Sequence, residues 1–271
     1  MTMLLVSTIL FLIAGVVAGM LSVLMGIGGG LIVVPVMYVF FRYIDPVAPN
    51  MVMHVAVGTS LAIMLVTTSN AIISHMRRGN VPWPVVKQLI GFIVLGVIAG
   101  TVISYYVHSE FLRYLFIAFL LYVLGSAILK KGFTQDFNAS DFHLTPRYIT
   151  IPVCVLTGGL SVMLGMGGSL MVVPYLRHCH MPMKRATAAA VALTPAVSIV
   201  GVIGYIYAGW GVSGLPRDCL SYVYVPAFIG ISVGTFLGVP LGAYIGKFLS
   251  DRKLAIGYLV MLAVILILMI L

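Results

Sequence analysis

The residues of this chain best placed to do chemistry are two glycine clusters set in apolar sequence. The first reads Gly26-Ile27-Gly28-Gly29-Gly30-Leu31-Ile32-Val33-Val34-Pro35, and the second Gly165-Met166-Gly167-Gly168-Ser169-Leu170-Met171-Val172-Val173-Pro174. The match extends upstream, where Gly19-Met20-Leu21-Ser22-Val23 aligns with Gly158-Gly159-Leu160-Ser161-Val162. Glycine interrupts a helix, and backbone freed from a helix cannot face lipid. A helix restarting at Leu31 or Leu170 directs three or four unpaired N–H groups back into its cluster. Such a helix start attracts anions, and glycine lets a ligand approach the main chain. Gly28, Gly29, Gly30, Gly167, Gly168 and Ser169 are therefore candidate binding residues, with Gly26, Pro35, Gly165 and Pro174 marking the helix breaks. The alternative is that the glycines only allow close packing of a tight hairpin.

Hydroxyls supplement the backbone. Thr59 and Ser60, in Ala56-Val57-Gly58-Thr59-Ser60, are candidate donors to a substrate, followed by Thr67, Thr68, Ser69 and Asn70. Serine and threonine in membrane helices also bond their own backbone, which is the competing reading for each of them. The matching positions of the second half are Ala189 and Ala190, so the halves cannot contribute equally.

Other chemistries lack their residues. The six acids (Asp45, Glu110, Asp136, Asp141, Asp218 and Asp251) all fall in loops or at segment ends. A membrane protease or carboxylate cation site needs acids inside the membrane, so neither is expected. His178-Cys179-His180 has ligand-like spacing but no evident fourth ligand, and no metal is expected there. Gly26-Ile27-Gly28-Gly29 lacks the last glycine of a dinucleotide loop, so no cofactor is expected either. Cys154, Cys179 and Cys219 are scattered and odd in number, which gives no disulfide framework. His54, near the end of an apolar segment, suits an anion vestibule or an interfacial position.

The elements that must position these groups are membrane helices. The chain is 62% hydrophobic and 8% charged, with mean hydropathy +1.17, outside the range of soluble domains. Its net charge of +9 sits in short loops between apolar runs, where basic residues set orientation, so nucleic-acid binding is not expected. The start Met1-Thr2-Met3-Leu4 lacks a positively charged leader, so the first apolar run is expected to stay as a helix. Ten apolar segments are expected, near 3–25, 30–41, 51–74, 84–107, 111–129, 149–164, 169–176, 184–209, 221–246 and 253–271. The second and seventh are short.

Charge decides what the breaks do. If each break turns the chain around, Arg77, Arg78, Lys87, Lys130, Lys131, Arg147, Arg177, Lys184, Arg185, Lys247, Arg252 and Lys253 share one face. Only Arg42, Arg113 and Arg217 then face the other way. If each break is a kink in one span, the basic residues divide evenly. The positive-inside rule selects the turnaround. Five segments per half then place the second half in the opposite sense. The expected fold is all-α integral membrane, with inverted repeats at 1–131 and 148–271 joined by a cytoplasmic connector at 132–147. Both termini fall on the non-cytoplasmic side. Arg77-Arg78 and Lys184-Arg185 could also draw anions to a cytoplasmic mouth. In the ninth segment Gly230, Gly234, Gly238, Gly242 and Gly246 recur every four residues. That bare face serves tight packing within the fold or a homodimer interface.

With these motifs the chain resembles the sulfite exporter TauE/SafE family, also called the four-toluene sulfonate uptake permease family. The resemblance spans essentially the whole chain and rests on Gly26–Gly30 with Pro35, on Ala56–Ser60, and on the second cluster through Pro174. It implies a bacterial or archaeal inner-membrane permease for sulfite, thiosulfate or an organosulfonate. Ser169 and Ala189-Ala190 depart from a symmetric site. The expected function is alternating-access transport of such an anion, without enzymatic activity. An anion or small-solute channel, and a membrane enzyme or assembly factor, are the alternatives.

Overall fold

A computed structural model describes residues 2–26, 28–45, 47–129, 142–216 and 218–270. Lys130, Lys131 and Arg217, and the part of the expected connector up to residue 141, lie outside them. The described residues form ten helices. In order they are α1 (Thr2–Met25), α2 (Gly30–Tyr43), α3 (Val52–Arg77), α4 (Trp83–Tyr106) and α5 (Ser109–Leu129), then α6 (Arg147–Met163), α7 (Ser169–His178), α8 (Met183–Ala208), α9 (Val225–Ile245) and α10 (Asp251–Ile270). Seven of them, all but α2, α6 and α7, are long and apolar enough to cross a membrane.

Prolines and glycines punctuate these elements. Pro84 and Pro226 stand in the first turns of α4 and α9, and Pro146 and Pro182 cap α6 and α8. A helix start tolerates proline because its missing N–H would have no partner there. Gly79, in the left-handed region at φ 64°, turns the chain out of α3. The ninth apolar run was expected from residue 221, but 221–224 instead belong to a short hairpin. Its strands β1 (Cys219–Leu220) and β2 (Val223–Tyr224) pair antiparallel and lead directly into α9.

Both glycine breaks reverse the chain. Phe40, ten residues into α2, brings its ring to 5.0 Å from that of Phe11 in α1, so α2 runs back along α1. In the second half Thr150 of α6 meets the Tyr175 hydroxyl of α7 at 2.8 Å, which closes the equivalent hairpin. The prolines behave differently from expectation. Pro35 and Pro174 lie inside α2 and α7, which continue through them, so the breaks rest on the glycines. Each proline instead frees the carbonyl four residues earlier, in the first turn of its helix.

Helix contacts come in matched sets. α1 packs on α9 as α6 packs on α4, α3 on α9 as α8 on α4, and α2 on α3 as α7 on α8. Exchanging each helix for the one five places away converts every one of these contacts into another. α3 and α8 cross at the centre and are the most buried of the long helices. The glycines of α9 face α1: a Cβ on Gly238 would stand on the Val16 backbone, and one on Gly242 on that of Met20. Gly96 and Gly100 of α4 meet Val155 and Gly159 of α6 in the same way. The bare face at Gly230–Gly246 packs against α1 within the chain.

Candidate functional site

The centre of the molecule is where the two breaks meet. Their glycines adopt conformations strained for other residues: Gly28 and Gly29 have φ 68° and 81°, and Gly165 and Gly167 have φ 63° and 60°. Positive φ is strained for a residue with a Cβ, and these four positions turn each chain out of one helix and into the next. The breaks touch directly. A Cβ on Gly30 would collide with the carbonyl oxygen of Gly165 and with the Met64 sulfur.

α3 and α8 enclose this meeting point. The Ser60 hydroxyl donates to the Gly165 carbonyl at 2.7 Å and lies 3.2 Å from that of Gly30, so one side chain ties both breaks together. Thr59 accepts the backbone N–H of Tyr224 at 2.9 Å, fixing α3 to the hairpin before α9. Both hydroxyls were expected as donors to a substrate. In this conformation they hold protein groups instead. Thr67, Thr68 and Ser69 bond back to Ile63, Met64 and Leu65, the other use open to hydroxyls in a membrane helix.

Two residues that sequence reasoning missed stand against both breaks. A Cβ on Gly28 would sit 3.1 Å from Thr194 Cγ2 and 3.8 Å from Met64 Cγ. One on Gly167 would sit 2.7 Å from Thr194 Cγ2 and 3.2 Å from Met64 Cε. Met64 and Thr194 occupy matching positions of α3 and α8, one turn beyond Ser60 and Ala190. Neither carries a charge, which is why neither stood out. The signal available was their spacing of four from those residues.

The donors that could hold a ligand are main-chain groups. Among the described residues, no bond runs from the N–H groups of Gly28, Gly29, Gly30, Gly167 or Gly168 to another described residue. They flank the ends of α2 and α7, where the helix dipole is positive. The backbone of Ser169 opens α7. Buried N–H groups are costly to leave unpaired, and Gly28 and Gly167 of the two breaks share Met64 and Thr194 as neighbours.

The remaining side chains fall elsewhere. Arg177, in the last turn of α7, is 2% exposed and donates to the Met181 carbonyl at 3.2 Å. No three His, Cys, Asp or Glu among the described residues come together as a metal site. His54 lines a cavity of about 360 Å³ with Thr101, Tyr205 and Tyr222.

A bundle of apolar helices with interrupted, back-turned segments meeting at its centre defines a multi-pass membrane protein. Comparison with known proteins agrees. A probable membrane transporter protein of Haemophilus influenzae is 30% identical over 224 residues, covering 83% of each chain. One of Methanocaldococcus jannaschii is 29% identical over 253 residues, covering 91% of this chain and 89% of that protein. YunE of Bacillus subtilis, also named a probable membrane transporter protein, is 24% identical across 75% of this chain and 80% of its own. The family model described as Sulfite exporter TauE/SafE matches residues 11–269, and the chain belongs to that family. It is a transporter and not an enzyme. No solved structure matches it.

Proposed function

We propose that the chain carries a small sulfur-containing anion, such as sulfite, thiosulfate or an organosulfonate, across the cytoplasmic membrane of a bacterium or archaeon. The anion sits where the breaks meet, bound by the backbone at Gly28–Gly30 and Gly167–Ser169, with Thr59 and Ser60 at its edge. The observation that carries this reading is the contact of two helix starts at positive-φ glycine turns, Gly30 standing against the Gly165 carbonyl. Backbone donors and helix dipoles stabilise negative charge without a buried cation.

The matched helix contacts support two repeats, 1–131 and 148–271, related by an axis in the membrane plane and joined by the connector at 132–147. The distribution of basic residues puts that connector in the cytoplasm and both termini outside. Rocking one repeat against the other would expose the site to each side in turn. The Ser60 bridge between the breaks is a contact such a motion would remake.

Counterflow of radiolabelled sulfite into proteoliposomes tests this function. Saturable uptake is expected, competed by thiosulfate and taurine but not by phosphate. Absence of uptake for every sulfur anion tried, from protein shown to be folded, would overturn the substrate assignment.

A further inference from the structure

Two cavities lie at opposite ends of α3, with the meeting point of the breaks midway between them. One is lined by His54, near the start of α3, together with Thr101, Ser104 and Tyr105 of α4 and Tyr205 and Tyr207 of α8. The other, of about 550 Å³, is lined by Asn70, Ser74, Arg77 and Arg78 at the end of α3, and by Val239 and Lys247 on the side of α9. From His54 to Arg77 a helix spans about 35 Å, the thickness of a membrane core and its margins. Met64 and Thr68, which stand against the breaks, are near the middle of that span.

The two cavities occupy matching places. One lies between α3 and α9, and the other between α8 and α4, which exchange under the five-helix correspondence seen in the packing. Their chemistry differs. At the α3–α9 end Arg77, Arg78 and Lys247 crowd the rim, no acid is among the described lining residues, and the buried Asn70 amide nitrogen has no hydrogen-bond partner among the described residues. Arg78 is held in place by the Ala243 carbonyl. At the α4–α8 end the described lining has no lysine or arginine, and tyrosines with Trp210 take their place.

We infer that these cavities are the two mouths of the transport path: a basic mouth between α3 and α9 that gathers a small anion, and an uncharged aromatic mouth between α4 and α8 on the opposite face. This rests on the anion-carrier reading and adds where the anion enters and leaves. Positive charge at a mouth raises the local concentration of an anion and lowers that of a cation. On the basic side this favours capture at low substrate concentration. On the other side the anion meets no cation that would hold it back. The competing occupant of the basic cavity is an anionic lipid, because exposed Ile73 and Phe236 open the groove sideways.

Single cysteines at Ser74 and Thr101 test the assignment, probed in sealed vesicles of both orientations with two charged methanethiosulfonates, one bearing a sulfonate and one a trimethylammonium group. The native cysteines provide a quiet background. Cys154 and Cys179 are buried, and burial, then Asp218 and Asp45, push the Cys219 thiol up to about 12. Ser74→Cys should react from one side only, and Thr101→Cys from the other. Ser74→Cys should prefer the anionic reagent about tenfold relative to Thr101→Cys, as a field of a few kT predicts. That preference should collapse when Arg77→Gln and Lys247→Gln are added. Labelling of both from the same side would overturn the proposal. So would Ser74→Cys that reacts with a membrane-soluble maleimide but with neither charged reagent, since the groove would then face lipid. These readouts need no transport, so they fail or succeed separately from sulfite counterflow.

Discussion

At the scale of single residues, the breaks depend on glycine for conformation and for space. Gly29 has φ 81°, and a Cβ there would lie 3.2 Å from Thr67 Cγ2. Gly29→Leu should therefore abolish sulfite uptake, through the left-handed backbone and the filled site together, while membrane expression stays within about twofold of the parent. Uptake retained at the parental rate would remove Gly29 from the site. Ser60→Ala deletes a side chain that bridges the breaks by hydrogen bonds, leaving the Gly165 carbonyl without its 2.7 Å donor. Hydrogen bonds between membrane helices contribute about 0.6 kcal/mol on average, and a buried unpaired group costs about 1–3 kcal/mol. Thermal unfolding in detergent should therefore show a drop of a few degrees in Tm, and an unchanged Tm would mean the bridge is not formed in solution.

At the scale of elements, close helix pairs carry the fold. With no hydrophobic force between helices in lipid, α1 and α9 associate by backbone approach over Gly234, Gly238 and Gly242. Gly238→Val places a methyl-bearing carbon on the Val16 carbonyl and must push the helices apart. Overpacking of this kind costs about 1–3 kcal/mol or more, so monodisperse protein should be largely lost on size-exclusion chromatography. Gly91 of α4 is the control. A Cβ there meets nothing within 4 Å, and Gly91→Val should elute like the parent. If both variants behave alike, the α1–α9 approach is not what the fold depends on.

At the scale of the whole molecule, the proposal of two repeats of opposite sense places both termini on the same, non-cytoplasmic side. A reporter active only outside the cytoplasm should be active when fused after residue 271 and inactive when inserted at Gly79, beyond α3. Activity at both positions would overturn the topology.

The sequence determined the membrane class, the run of ten helical segments and the position of both breaks. Each of these depends on local composition or on glycine's conformational range, which are properties of short stretches of chain. The same locality explains the misreadings. Pro35 and Pro174 looked like breakers, but the presence of a proline alone cannot show whether the helix continues through it. Only the tertiary structure decided that Ser60 bridges the breaks, that Met64 and Thr194 stand against them, that Arg177 is buried, and that the α9 glycines serve α1. These depend on which helix faces which. In lipid that choice is made by the fit of small residues against backbone across distances of more than a hundred residues, and no single stretch of chain records it.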